Sequence, residues 1–500
     1  IMTMAMAVTA FAAEGASGTN TLTVNVKDGQ NLNGQTINLY KLFDVTESGE
    51  GQNKNYAYTV NETYKKTLAT VLNIAETSKD EDFAAAVTKL GSDNATEVQN
   101  FANTFTTKAL EEKLAATATS GKITEENKTS YTFENLAAGY YLVYVTGGKE
   151  IQSSLVTVDA TTDTVNLKTE APSIEKTADK TTVNIGDVVT YTVKGSIPDT
   201  TGYNEYVYKI HDELTNGLDF VNDANGAALG ADATTVNVTV AFTDNSLTAG
   251  GTTPTTATLD TANNRKMSLD LSAWVRDNQT NKGKEFTVTY YAKVNANAIV
   301  IEKNNAQLEY GNNPKETTKT TPSEAKTPTY PLDILKKEKT SKKELAGAKF
   351  SLYKTETDAK AGTNAITVSG SDGKYVVDPT SKNTVFESVA SIEGKDYNLH
   401  VNGLAAGSYW LVETEAPAGY NKLTAPIKIE ITKSADTEVN NWTISKDGTV
   451  ETDKIIDIEN STGSLLPSTG GMGTIIFAVI AAILVLGVAV SFIRDKRKNA

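Results

Sequence analysis

The 500-residue chain carries 61 acidic against 47 basic side chains, a net charge of −14, and no cysteine. The acidity argues against nucleic acid and anionic membrane surfaces as partners, and the missing thiols exclude disulfides and thiolate metal sites. With only His211 and His400 available, a Ser-His-Asp triad or a zinc cluster is disfavoured, no metal or cofactor is expected, and the length suggests about three domains.

In chain order, residues 1–13 are apolar and end in Ala10-Phe11-Ala12-Ala13. They read as the tail of a truncated secretory signal peptide without its basic segment, with a short apolar strand as the alternative. Residues 20–170 open and close on alternating stretches (TLTVNV, TINLYKLF, YYLVYV, SLVTV) that predict strands. Between them, from about 62 to 119, ETYKKTLATVLN, DEDFAAAVTKL and VQNFANTFTTKALEEKLA have helical periodicity. This predicts a sheet domain with a helical insertion. Residues 172–325 are Thr- and Val-rich (VVTYTV, TTVNVTVAF, FTVTYYAKV) and predict a β-sandwich ending in a polar Thr/Pro/Lys connector. Residues 328–463 predict a further strand-rich domain.

An internal repeat links the first and third of these domains. GQTINLYK (Gly34 to Lys41) matches GAKFSLYK (Gly347 to Lys354), and LAAGYYLV from Leu136 matches LAAGSYWLV from Leu404. After the third domain comes Leu466-Pro467-Ser468-Thr469-Gly470, then an apolar stretch, 473–493, and a basic end, 494–500. At 1.5 Å per residue, about 20 helical residues cross a ~30 Å bilayer core, and the basic end would stay cytoplasmic. The chain is expected to be exported and held by its tail.

Several polar residues extend apolar stripes. In a strand alternate residues share a face, so Leu332, Ile334 and Lys336 point together, as do Tyr409, Leu411 and Glu413, and Ile456, Ile458 and Asn460. Burying a lone Lys or Glu costs several kcal/mol, so pairing or neutralisation is expected. Burial lowers a lysine pKa and raises a carboxyl pKa, so both can be neutral. A neutral amine held against a carboxamide can then attack it, with effective molarities of ~10⁵ M or more. Ammonia departs and an isopeptide bond remains. In the middle domain, parity likewise aligns Ile174 with Lys176, Ile210 with Asp212 and Leu214, and Asn304 with Ala306, Leu308 and Tyr310. Aligned on the repeats, Glu413 falls on Val145 and Lys336 on Thr23, so no bond is expected in the first domain. The alternative for each group is a solvated polar residue at a strand end.

The C-terminal sequence resembles the cell-wall sorting signal of Gram-positive surface proteins. The stretch YWLVETEAPAGY resembles the E-box of Cna B-type domains in Gram-positive pilins, and the middle domain resembles the second domain of the same pilins. Over its whole length the chain resembles the major (backbone, or shaft) pilin of sortase-assembled pili. The resemblance implies a mainly β chain of tandem immunoglobulin-like, Cna B-type β-sandwiches, the first with the helical insertion, and a C-terminal transmembrane helix. It places one isopeptide bond between Lys336 and Asn460, assisted by Glu413, and another between Lys176 and Asn304, assisted by Asp212; only parity favours Asn304 over Asn305. It implies that a sortase cysteine attacks the Thr469 carbonyl and passes Thr469 to an amine. The polymerising lysine is expected at Lys168 in TVNLKTEAP, without the tyrosine and proline that flank it in the family; Lys27 and Lys41 are weaker candidates. The implied partners are pilus-specific and housekeeping sortases, identical subunits, peptidoglycan, and tip or basal pilins. The implied location is the cell wall of a Gram-positive bacterium, reached through a membrane-held precursor. A monomeric wall-anchored adhesin, or a minor pilin of the same modules, is the competing reading. No motif supports an enzyme beyond single-turnover self-cross-linking. Each cross-link would join the first and last strands of its domain, carrying tension past the rest and constraining the unfolded chain by roughly 5 kcal/mol, on the analogy of a disulfide.

Overall fold

In a computed structural model, residues 18–49, 55–92, 95–146, 153–159, 163–168, 170–200, 205–311, 314–315, 317–435, 438–464, 466 and 472–498 are described. The signal-peptide expectation for 1–13 and the motif residues Pro467, Ser468, Thr469 and Gly470 lie outside them. The described residues form six sheets, which pair into three successive sandwiches.

In the first sandwich the long strand Thr36–Ser48 serves two cores. Its Ile37 and Leu39 pack on a small sheet of Ser130–Leu136, Asn20–Asn25 and Asp163–Asn166. Further along, Tyr40, Leu42 and Phe43 pack on the helical insertion. That insertion is α1 (Lys65–Leu72), α2 (Asp80–Thr88) and α3 (Thr96–Glu111), inside the span where helices were expected. In α3, Phe101, Ala102, Phe105, Thr106 and Ala109 recur at helical spacing and are the buried face. Phe105 meets Tyr40 and Tyr64 edge-on. Asp80, Glu81 and Asp82 in the first turn of α2 suit the positive end of its dipole.

The middle sandwich faces a sheet containing Glu175–Ala178, Val188–Ser196 and Glu285–Val294 against one containing Val207–Leu214 and Lys303–Gly311. In the third sandwich, Tyr330–Glu338 lies between Leu399–Leu404, antiparallel, and the last strand, Ile455–Asn460, parallel. The small sheet of the first sandwich repeats this plan: Asn20–Asn25 is antiparallel to Ser130–Leu136 and parallel to Asp163–Asn166.

The two junctions differ. Between the middle and third sandwiches the core is continuous. The segment 182–187 of the middle sandwich seats on the 402–406 turn of the third. Ile185 N–H donates to the Gly403 carbonyl at 3.0 Å, and the Asn184 side-chain oxygen accepts from Ala405 N–H at 3.0 Å. The Ile185 side chain lies over Gly403, whose φ is +102°; a Cβ there would come within 2.3 Å of it. The first and middle sandwiches instead meet across a polar cleft of about 510 Å³ lined from both sides, by Asn31 and Glu126 on one and Gln307 and Thr320 on the other. Beyond the sandwiches runs the helix Met472–Lys498, whose apolar stretch Ala478–Arg497 has mean hydropathy 2.2 and is long and apolar enough to cross a membrane.

Candidate cross-linking sites

Along Tyr330–Glu338 burial alternates residue by residue, and the same alternation that buries Leu332 and Ile334 turns Lys336 inward. Antiparallel pairing with Leu399–Leu404 stops at Ile334. That would leave the Lys336 N–H without a partner inside the core, a costly arrangement, while the Lys336 carbonyl accepts from Leu345 N–H at 2.9 Å. Asn398 fills the gap: its Oδ1 accepts from Lys336 N–H at 2.7 Å and its Nδ2 donates to the Lys336 carbonyl at 3.0 Å. A side-chain carboxamide thus replaces the missing strand and fixes the backbone that carries the amine.

Glu413 reaches the same point from the facing sheet, on Gly407–Glu415 opposite Phe350. The side chains of Lys336 and Glu413 are both 0% exposed, with Nζ 3.6 Å from Oε1. Oε2 accepts from Leu423 N–H at 2.7 Å and from Asn460 Nδ2 at 2.9 Å. Asn460 also donates to the Asn421 carbonyl at 2.8 Å, while its Oδ1 makes no hydrogen bond. One carboxylate oxygen therefore faces the amine and the other the amide nitrogen. Burial lowers the Lys336 ammonium to about 8, against the opposing pull of the Glu413 charge. Neighbouring Lys337 faces outward and pairs with Asp457 at 2.5 Å.

The middle sandwich brings together Lys176, Asp212 and Asn304, each at an inward position of its strand. The Lys176 and Asp212 side chains are 0% exposed, and Nζ donates to Asp212 Oδ2. Nζ also donates to the hydroxyl of Tyr290, which in turn donates to the same Asp212 oxygen. The rings of Tyr191 and Tyr290 stand 4.6 and 4.8 Å from Nζ. Asn304 is wholly buried and close enough to influence both Asp212 and Tyr290, yet neither of its amide atoms reaches hydrogen-bond geometry. Asn305 faces the other side of the sheet, onto a surface groove beside His211. Burial brings Lys176 down to about 8 and pushes Asp212 and Tyr290 up.

The first sandwich has no such cluster among the described residues. Ile37 pairs with Val145 as Phe350 pairs with Glu413, so Val145 occupies the Glu413 position. The counterpart of Lys336, however, is Val26 rather than Thr23. Leu136 pairs with Asn20 as Leu404 pairs with Tyr330, both followed by an irregularity, and Val24 faces Val165 as Ile334 faces Ile456. Two residues further on, Val26 matches Lys336 and packs against the core. Thr23 lies on the outer face, its hydroxyl 3.0 Å from that of Thr132. An ungapped count fails because the loop is shorter here, eight positions from Val26 to Gly34 against eleven from Lys336 to Gly347.

Lys168 is exposed just beyond the strand Asp163–Asn166, at the rim of a cavity of about 140 Å³ shared with Gln99 and Ser153. Lys27 is paired with Glu170 at 2.5 Å, and the largely buried Lys41 with Asp44 at 2.5 Å. Leu466, the one described residue of the pentapeptide, is 87% exposed. His211 and His400 each face a carboxylate, Glu309 and Asp333, at 2.6 Å on outer faces.

Tyr290 and Asn398 were not anticipated. For Tyr290 a signal existed: in FTVTYYAKV it shares parity with Phe286 and Val288, so an inward hydroxyl needs a partner. Asn398 precedes its strand and carries no periodic signal.

Comparison with known proteins places residues 331–446 in the SpaA prealbumin-like fold domain family. The fimbrial subunit type 1 of Actinomyces viscosus is 28% identical over 170 residues, 31% of this chain and 29% of that protein. The chain thus matches less than a third of the length of this curated relative. Among solved structures, the T6 backbone pilin of Streptococcus pyogenes aligns over 90% of this chain and all of its own at 16% identity and a TM-score of 0.43. The major pilin SpaD of Corynebacterium diphtheriae does so over 90% and 100% at 18% and 0.41.

Proposed function

We propose that the chain is a structural shaft subunit of a covalently polymerised surface pilus, built of domains 20–170, 172–325 and 328–463. In this reading a sortase joins Thr469 to Lys168 of the next identical subunit, a housekeeping sortase passes the last subunit to peptidoglycan, and the membrane segment holds the precursor until then. The SpaA-type domain and the fimbrial relative support it.

The observation that carries the reading is the pair of buried lysine–carboxylate–asparagine clusters, between the opening and closing strands of the third sandwich and, in the middle one, between the opening strand and Lys303–Gly311, which Thr318–Lys319 and Ser323–Lys326 follow in the same sheet. In the third domain the reaction needs no outside reagent. Glu413 takes a proton from Lys336 through Oε1. The amine lone pair attacks Asn460 Cγ, and the carbonyl electron pair moves to Oδ1. Glu413 returns a proton to the amide nitrogen, which its Oε2 already holds, and takes another from the attacking nitrogen. The C–N bond breaks, the carbonyl re-forms and ammonia leaves. Lys176, Asp212 and Asn304 would act in the same way. The carboxylates work once each, so the chain is its own substrate rather than an enzyme.

Two measurements test the reading. The intact mass of a soluble fragment covering 172–463 should fall short of the sequence mass by two ammonias; a full sequence mass refutes the cross-links. A boiled denaturing gel of wall extract should show a ladder that collapses in Lys168→Ala. A single band near the monomer would instead establish a wall-anchored adhesin or minor pilin.

A further inference from the structure

We infer that Tyr290 is a fourth reacting group of the middle-domain site, relaying the protons that Lys176 must shed. The inference rests on reading that site as self-cross-linking, and it starts from a count of hydrogens. An ammonium has three N–H bonds and the amide it becomes has one, so two protons must leave Nζ. Asp212 can hold only one at a time, and no water is needed if a hydroxyl bridges the two. The site is closed to solvent, with the Lys176 and Asp212 side chains at 0% exposure.

Asp212 is less well placed to act alone than Glu413 is. Glu413 sets one oxygen on the amine and the other on the amide nitrogen. In the middle domain a single oxygen, Asp212 Oδ2, takes the contacts from both Lys176 and Tyr290, and Oδ1 makes no hydrogen bond. Its Oδ1 is left for the Asn304 amide, which lies close by but outside hydrogen-bond geometry. Tyr290 comes from the opposite sheet and adds a second path beside that direct contact, accepting from Nζ and donating to Asp212.

Nζ–H passes its proton to the Tyr290 oxygen as the Tyr290 proton moves to Asp212. This leaves a neutral amine, an unchanged tyrosine and a neutral carboxyl. The lone pair attacks Asn304 Cγ, forming the N–C bond and placing the carbonyl pair on Oδ1. The Asp212 carboxyl protonates the amide nitrogen. Tyr290 then relays the second proton from the attacking nitrogen to the restored carboxylate. The carbonyl re-forms, the C–Nδ2 bond breaks, and ammonia leaves beside a secondary amide and a protonated Asp212.

The test uses the third domain as a clock within the same chain. Freshly translated chain is sampled over time, and the two cross-linked peptides are followed by mass after proteolysis. Tyr290→Phe keeps the ring and removes the relay. It should slow the Lys176–Asn304 bond on the order of 10²-fold, the usual scale for one proton-transfer group, and leave the Lys336–Asn460 bond at its wild-type rate. Tyr191→Phe is the matched control: its ring is as close to Nζ, but its hydroxyl does not touch Lys176. It should react at the wild-type rate. A Tyr290→Phe chain that cross-links on time, or a Tyr191→Phe chain slowed as much, overturns the relay. Loss of fold is separated by melting: early Tyr290→Phe samples should match Asn304→Ala and drift toward wild type as the bond forms, and a lower transition that never recovers refutes a purely kinetic role. A wild-type chain lacking the middle-domain mass deficit overturns the underlying cross-link, a result distinct from any of these.

Discussion

The first and third sandwiches share a three-strand plan with the same pairing directions and two repeated segments, yet treat the same inward positions in opposite ways. Where the third domain places Lys336 and Glu413, the first places Val26 and Val145. Valine at such a site contributes a couple of kcal/mol by burial and nothing chemical. A lysine and a glutamate there cost more to bury than they return, unless the cost is temporary and ends in a covalent bond. The first domain puts its second core to use instead, carrying α1 to α3 on the far half of Thr36–Ser48. One scaffold thus carries a buried lysine–glutamate–asparagine cluster at one end of the chain and a helical platform at the other.

The largest effect that would break this contrast is loss of the third-domain bond. Lys336→Ala should restore one ammonia to the intact mass and destabilise that domain by about 5 kcal/mol, the loop-closure value for a long cross-linked segment; calorimetry checks it. Glu413→Gln should leave both partners present but unjoined. Next in size is the reverse experiment. Val145→Glu puts a carboxylate into the first domain without its amine, and should cost about 3–5 kcal/mol by leaving a buried charge unpaired. A neutral result there would mean that the two sites are not equivalent environments. Gly403→Ala, by adding a Cβ at a positive φ and pushing Ile185 away, should cost roughly 1–3 kcal/mol and let the middle and third domains melt in two separate transitions.

A pH series sharpens the contrast further. In Asn460→Ala, where no bond forms, the folded Lys336 ammonium sits near 8, below the ~10.4 of an unfolded lysine. The unfolded state binds more protons between those values, so stability should rise with pH from about 8 to ~10.4. The isolated first domain, with valine in place of that lysine, should show no step in that window from this position. In the wild type the Lys336 proton passes to Glu413 inside the site, so bond formation should change little with pH just below 8 and slow above 8, as the pair loses the proton that the amide nitrogen must receive. The smallest effect is expected for Lys337→Ala, under ~1 kcal/mol with no change in mass, because its ion pair is on the outer face.

Much of this was legible because strands have a strict period. Parity alone put Lys176, Asp212, Asn304, Lys336, Glu413 and Asn460 on inward faces, and the helical spacing of Phe101, Phe105 and Ala109 announced the insertion. What parity cannot supply is register across loops of unequal length, hence Thr23 in place of Val26. Nor does it predict partners from non-periodic chain: Asn398 stands just before a strand, and Leu423 offers only its backbone N–H. Tyr290 had the right parity, but its role depends on which strand of the facing sheet lies opposite Asp212.

The seat of Ile185 on Gly403 bears on how such chains can be recombined. A third domain transplanted onto a foreign neighbour would lose the Asn184 and Ile185 contacts that continue its core. The first domain meets the middle one across a polar cleft and, among the described residues, shares no such core with it. The unit exchanged with least loss of core is therefore a single domain at the amino-terminal end, where Thr318 seated on Gly34 is the close contact given up, and a pair at the other.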